Sequence, residues 1–172
     1  MNFVDTHAEY KYFKSAIDEQ VKSVVESGRF LLGNKTRLLE ESFKSIVGED
    51  YACVAVKNCT DAISIILKKE LKPGMPVIIP DFGAYPTAVA CHAITENVHY
   101  VPVDETYTMD ITQLPQELKN GIIIPVHLFG NNCDMPRIMQ YANQNNHIVI
   151  EDCAQSTGSG SGKYGHFSVF EM

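Results

Sequence analysis

The sequence predicts an α/β fold, a three-layer α/β/α arrangement built on a mostly parallel sheet. Three observations predict it. Short runs of β-branched and apolar residues recur, as in Val77-Ile78-Ile79, Ile122 to Val126 and Ile148-Val149-Ile150. They are apolar throughout instead of alternating with polar residues, as strands buried on both faces are. Between them lie stretches with helical spacing or helix-capping residues, and strands that alternate with helices form right-handed βαβ units.

The elements follow in order. From about Ala8 to Ser27, Phe13, Ile17, Val21, Val24 and Val25 recur at helical spacing, and Gly28 supplies a stop. Phe30-Leu31-Leu32-Gly33 reads as a linker that tucks its apolar side chains away. Asn34 can cap a second helix with Leu38, Leu39, Phe43, Ile46 and Val47 on one face, ended by Gly48. This helical segment, residues 1–50, carries packing and no evident chemistry. Residues 51–172 carry the β/α alternation.

Tyr51 to Val56 is β-prone and leads into a helix from about Thr60 to Leu71, terminated by Pro73-Gly74. Met75 to Ile79 is the next strand, closed by Pro80, and a helix from about Pro86 to Ile94 accepts its proline in the first turn. Val98 to Val103 is a strand, Ile111 to Lys119 a short helix weakened by Pro115, and Ile122 to Val126 a strand. Asp134 caps a helix to about Asn143. The stretch Ile148-Val149-Ile150-Glu151-Asp152-Cys153-Ala154-Gln155 provides one more strand, delivering Asp152 and Gln155 at its carboxyl end. Gly158 to Gly165 reads as a flexible loop before a last strand at Phe167-Ser168-Val169-Phe170.

Composition excludes several classes. A net charge of -7 with no basic cluster argues against nucleic acid as a partner. No apolar run is long enough to span a bilayer. Met1 to Tyr10 has no hydrophobic signal core. Five cysteines, an odd number without a C-x-x-C pair, predict reduced thiols in a cytoplasmic protein. The six histidines form no ligand spacing, so no metal site is expected.

Four junctions carry the chemistry, and each has a plainer alternative. Glu151-Asp152-Cys153-Ala154-Gln155 ends the strand that starts at Ile148; Asp152 and Gln155 there offer an anion and an amide, or the stretch is simply a strand end with solvated acids. Lys57-Asn58-Cys59-Thr60-Asp61-Ala62 opens a helix, where free N–H groups and the dipole favour phosphate, or where Asn58 or Thr60 merely caps. In Pro80 to Thr87, Phe82 or Tyr85 can stack on a planar ligand or cover the core edge. His127, in Pro125 to Gly130, can touch a ligand or satisfy a buried hydrogen bond. The glycine run Gly158-Ser159-Gly160-Ser161-Gly162-Lys163 fits neither a phosphate loop nor a dinucleotide fingerprint, and a solvated loop is the expectation. All four junctions follow strand ends, so in a parallel sheet they converge on one crevice. That inventory suits an aromatic, phosphorylated cofactor.

The residues resemble the DegT-type nucleotide-sugar aminotransferases, which use pyridoxal phosphate on the fold type I (aspartate-aminotransferase) large domain. The resemblance runs from about Gly28 to Phe170. It rests on Gly28-Arg29-Phe30-x-Leu32-Gly33, Asn58-x-Thr60-Asp61-Ala62, Pro73-Gly74, Val77-Ile78-x-Pro80, Val101-x-Val103-Asp104, Pro125-Val126-His127-Leu128-x-Gly130 and Ile150-Glu151-Asp152-x-Ala154-Gln155. It implies that Asp152 pairs with the pyridinium nitrogen of the cofactor and that Gln155 sits beside its phenolic oxygen. Thr60 and the backbone N–H of Asp61 are the implied phosphate cradle. The usual stacking position falls on Ala84, with Tyr85 next to it as the candidate.

The resemblance also implies amino transfer from an amino acid, glutamate, to a keto-sugar nucleotide in amino-sugar and polysaccharide biosynthesis, by a homodimer. It places the Schiff-base lysine, and a phosphate-binding serine before it, after the strand at Phe167 to Phe170. Glu171 stands where that serine is expected, and Lys163 precedes the strand. The sequence-based expectation is therefore a partial large domain, binding pyridoxal phosphate non-covalently and with little activity alone. Two alternatives stay open: a pyridoxal- or pyridoxamine-phosphate-dependent sugar dehydratase of the same family, and a non-catalytic remnant that keeps the cofactor crevice.

Overall fold

A computed structural model describes residues 4–48 and 50–171. The chain divides into two compact units, one comprising residues 1–45 and 53–55, the other residues 46–52 and 56–172.

The first unit is helical. Helix α1 (Thr6–Ser27) starts where the Asp5 side chain accepts from the Ala8 N–H, and ends at Gly28 with a left-handed φ of 64°. Helix α2 (Asn34–Val47) follows. The apolar stripe of α1 is present as expected, yet none of its residues is buried. Phe30, Leu31 and Leu32 are also exposed, which corrects the expectation that this linker hides them.

The second unit holds a five-stranded, all-parallel sheet in the order β2-β1-β3-β4-β5. Its strands are β1 (Val77–Pro80), β2 (Val98–Val101), β3 (Ile122–Ile123), β4 (Ile148–Asp152) and β5 (Phe167–Val169). Helices α3 (Cys59–Glu70), α4 (Tyr85–His92) and α5 (Met135–Asn145) complete it. Period-two alternation along the strands separates two cores. Val77 and Ile79, Ile122 and Ile124, and Ile150 pack with Ile63, Leu67, Ala90 and Cys91 of α3 and α4. Ile78, Ile123 and Val149 pack on the other face with Ile138, Tyr141 and Ala142 of α5 and with Met109 and Leu114. The three layers are thus α3 and α4, the sheet, and α5.

Three expected elements differ. Tyr51 to Val56 forms no strand, although β-prone in composition; strand propensity needs a neighbour to pair with, and none is supplied there. Ile111 to Lys119 shortens to a single 3-10 turn, Ile111–Gln113, because Pro115 withholds an N–H that a longer helix would need. Strand β3 pairs regularly only at Ile122 and Ile123, with Val126 bridging separately to Asp152.

At the amino-terminal edge of the sheet, the Gly121 N–H donates to His147 Nδ1 at 2.9 Å, and the imidazole stacks on Tyr141 with centroids 5.4 Å apart. His147 Nε2 is buried without a hydrogen-bond partner. Burial is the main cause that holds this histidine below its ordinary 6.5, with nearby Lys119 adding to it. The folded state resists a proton that the unfolded chain accepts, so stability falls as pH drops from about 6.5 through the depressed folded value. Thermal unfolding followed between pH 7.5 and 5.5 should show this slope, and His147→Gln should flatten it.

Candidate functional site

In a sheet of order β2-β1-β3-β4-β5 the chain reverses direction between β1 and β3, and ligands bind outside the carboxyl ends of strands at such a switch point. A cavity of about 220 Å³ lies there, lined by Ile79, Pro80 and Asp81 from the end of β1, Tyr85, Thr87 and Ala88 from α4, and Val126 after β3. It is smaller than the roughly 300–1,000 Å³ usual for a small-molecule site and suits a single ring.

Asp152 and Glu151 end β4 on opposite faces of the sheet. Glu151 is fully buried, which corrects the reading of both acids as solvated. Its Oε1 accepts from the N–H groups of Tyr164 (2.7 Å) and Gly165 (2.6 Å). Its Oε2 accepts from the Gly162 N–H (2.9 Å) and pairs with His127 Nε2 at 3.1 Å. The Cys133 N–H donates to His127 Nδ1, so Nε2 carries the hydrogen that Glu151 accepts. Burial works to raise the Glu151 carboxyl, but the bonds from His127, Gly165, Tyr164 and Gly162 outweigh it and hold the group below the ordinary range. The glycine run therefore already cradles an anion, the side chain of Glu151. Ser161 and Gly162 are buried, so the expected solvated loop is exposed only on either side of them, at residues 158–160 and at Lys163 and Tyr164. His127 takes the plainer of its two readings, a satisfied buried histidine.

His127, Glu151 and Cys153 place potential metal ligands within 4.8 Å of one another. Each is committed elsewhere. The four acceptor positions of Glu151 are filled, His127 Nε2 is protonated, and burial pushes the Cys153 thiol up to about 12. This cluster is a structural plug.

Asp152 differs. It is 3 % exposed, and Oδ2 accepts from the Thr87 hydroxyl at 2.6 Å. Oδ1 accepts from the Ala154 N–H at 3.2 Å and meets the Cys59 thiol at a long 3.7 Å. Burial, followed by the Asp152 charge, raises the Cys59 thiol far above its ordinary value, so it stays protonated and is no nucleophile. Oδ2 thus keeps an unused acceptor position, and no ion pair reaches Asp152 among the described residues. A buried carboxylate is ordinarily paired with a cation. The residues fit a ligand that brings its own N–H⁺, as a pyridinium ring does.

The other predicted residues divide. Cys59 carries the amino terminus of α3, and with it Thr60, to Asp152, although no strand precedes that helix. The Thr60 hydroxyl has no protein partner among the described residues. The Asp61 N–H donates to Asn58 Oδ1 at 2.7 Å as a helix cap, leaving the first N–H groups of α3, at Cys59 and Thr60, without intrahelical acceptors. Tyr85 lines the cavity and is 80 % exposed. Gln155 is exposed, and its Oε1 accepts from the Phe129 N–H at 2.9 Å, bridging the ends of β3 and β4. Phe82 pairs with Tyr107 instead, at 5.6 Å. Thr87 was present in the predicted junction without a role. Its signal is position: in the first turn of a helix no carbonyl four residues back is available, so the hydroxyl is free to bond elsewhere.

Residues 11–171 match the model of the DegT/DnrJ/EryC1/StrS aminotransferase family. The chain belongs to that family. A UDP-N-acetyl-3-dehydro-alpha-D-glucosamine 3-aminotransferase from Acidithiobacillus ferrooxidans is 33% identical over 98% of this chain and 48% of its own length. A UDP-2-acetamido-2-deoxy-3-oxo-D-glucuronate aminotransferase from Pseudomonas aeruginosa is 33% identical over 92% of this chain and 45% of its own. A DegT/DnrJ/EryC1/StrS aminotransferase from Brucella abortus superposes with a TM-score of 0.91 at 28% identity, covering 99% of this chain and 50% of that one. NtdA from Bacillus subtilis, solved with bound PMP cofactor, superposes at 0.80 with 30% identity, covering 88% of this chain and 36% of that one. The chain spans about half the length of the two UDP-sugar aminotransferases it matches, and its sheet is that of the fold type I enzymes.

Proposed function

We propose that the crevice at the ends of β1, β3 and β4 holds pyridoxal phosphate for amino transfer from an amino acid to a keto-sugar nucleotide, and that this chain supplies the part of the site that grips the ring. The observation that carries this reading is Asp152, buried, held by Thr87 and Ala154, and without a cationic partner among the described residues. Bound cofactor supplies an electron sink for cleavage of a bond at the substrate carbon. Asp152 would hold the proton on the ring nitrogen, which that sink requires. Thr60 and the free N–H groups opening α3 would face the phosphate, Tyr85 would flank the ring, and Gln155 would lie near the ring's phenolic oxygen. No lysine lines the cavity among the described residues, so binding and orientation are the contributions assigned to this chain.

Two further parts of the reading have support of their own. The apolar side chains of α1 and of Phe30, Leu31 and Leu32 stay exposed, which suits a homodimer that covers them. All five cysteines are free, which suits the cytoplasm, and no described helix is long and apolar enough to cross a membrane.

Titrating the purified chain with pyridoxal phosphate, read by absorbance and by quenching of tyrosine fluorescence, tests the proposal. Asp152→Ala and Asp152→Asn should weaken binding by roughly 10- to 150-fold, the worth of one charge-assisted hydrogen bond. Affinity that is equal in wild type and both variants would refute the cofactor crevice.

A further inference from the structure

We infer that Thr87 is a positioning residue for Asp152: its hydroxyl fixes the carboxylate so that the unused acceptor position of Oδ2 faces the crevice. The inference rests on the cofactor reading above and adds a residue to it. Four observations carry it.

The bond from Thr87 Oγ1 to Asp152 Oδ2 is 2.6 Å and spans 65 residues of chain, between a helix and a strand end. Both partners are buried, at 4 % and 3 % exposure, so the bond is shielded from water that would otherwise compete for either group. The terminal torsion of an aspartate is broad, and one anchored oxygen leaves the carboxylate plane free to turn. Here the Ala154 N–H anchors Oδ1 from β4's own continuation while Thr87 anchors Oδ2 from α4, so the plane is held at both oxygens. Thr87 itself lines the cavity beside Tyr85 and Val126, and Asp152, which does not line it, is tied to that wall through the Thr87 hydroxyl.

The local sequence frees the hydroxyl for this task. Helix α4 begins at Tyr85 after Ala84, which caps with no side chain, and Pro86 lies in the first turn. Thr87 is the third residue of the helix, and its backbone N–H bonds to the Ala84 carbonyl. Its hydroxyl has no helical carbonyl four residues back to engage. A buried hydroxyl must find an acceptor, and Asp152 is the one it meets.

A purely structural threonine would satisfy the same burial rule, so the test separates positioning from folding. Pyridoxal phosphate labelled with ¹⁵N at the ring nitrogen is titrated into the full chain, and both the dissociation constant and the ¹⁵N resonance are read. Thr87→Val keeps the shape and removes the hydroxyl; Thr87→Ala removes it with a smaller side chain that favours the helix, should valine impair folding. Both should weaken binding about tenfold and move the ¹⁵N resonance toward the unprotonated ring. Thr87→Ser restores the hydroxyl and should bind within about threefold of wild type with the protonated signal. Wild-type affinity and ¹⁵N position in Thr87→Val or Thr87→Ala would overturn the inference, as would a serine variant as weak as the alanine one. Asp152→Ala distinguishes the two levels: if it weakens binding while Thr87→Val does not, only the role of Thr87 falls. If Asp152→Ala binds as wild type does, the cofactor reading itself falls.

Discussion

Replacing Glu151 with alanine is expected to cost about 3–5 kcal/mol of folding stability, the range seen when one partner of a buried charged network is removed. The carboxylate collects four donors in a place with no water access: the N–H groups of Gly162, Tyr164 and Gly165, and His127 Nε2. Deleting it strands all four, and each buried donor left unpaired costs on the order of 1–3 kcal/mol before the site relaxes. The connection from β4 to β5 contains no helix, so these bonds, with the Ser156–Ser161 contact, hold residues 156–165 against the sheet. Glu151→Gln should lose less than alanine but still destabilise, because an amide N–H₂ would face N–H groups that need an acceptor. Urea unfolding of the three proteins at pH 7 gives the comparison. The wild type should also lose this contribution in acid. The folded value is depressed, so the contribution is complete above the ordinary 4.5 of the unfolded chain and is lost as pH falls through the lower folded value. Glu151→Gln should show a flatter acid limb. An alanine variant as stable as wild type would show that the loop is not held by this residue.

Gly121→Ala is expected to destabilise by about 3 kcal/mol or more, an overpacking cost at a place that cannot yield. A Cβ there would lie 2.5 Å from the Pro76 carbonyl oxygen, 2.7 Å from Pro76 Cγ and 3.0 Å from His147 Nδ1. The nearest of these is backbone, and the same Pro76 oxygen accepts the Ile122 N–H at 2.8 Å, the bond that opens the β1–β3 pairing. Relief therefore requires β1 and β3 to part at their amino-terminal ends, or His147 to leave the Gly121 N–H. Thermal unfolding of the variant at neutral pH is the measurement. Because the clash lies at the edge of the sheet away from the crevice, cofactor affinity of the folded variant should match wild type. Wild-type stability in Gly121→Ala would show that the two strands have slack the packing does not suggest.

Much of this fold was legible in the chain because burial on both faces leaves an unmistakable trace. Val77-Ile78-Ile79 and Ile148-Val149-Ile150 are apolar at every position since α3 and α4 cover one face and α5 the other. The caps at Asp134 and Asn58 and the left-handed stop at Gly28 are local chemistry and were readable as such. Tyr51 to Val56 shows the limit. Its residues favour a strand, but pairing is a property of neighbours, and neighbours are set by the whole chain.

The site divides along the same line. Sequence alone determined the family, through ordered motifs from Gly28 to Phe170, and it placed Asp152 at the carboxyl end of a strand, β4. In the strand, alternation points Glu151 and Asp152 to opposite faces. Only the tertiary structure decided which acid has every acceptor position filled and which keeps one unused. Asp152 shares the face of Ile150, where α3 and α4 bring Cys59 and Thr87 and leave one acceptor position unused. Glu151 shares the face of Val149, where His127 and the glycine loop fill every position. Two adjacent carboxylates are alike as sequence, and what separates them is the number of donors that distant segments bring within reach.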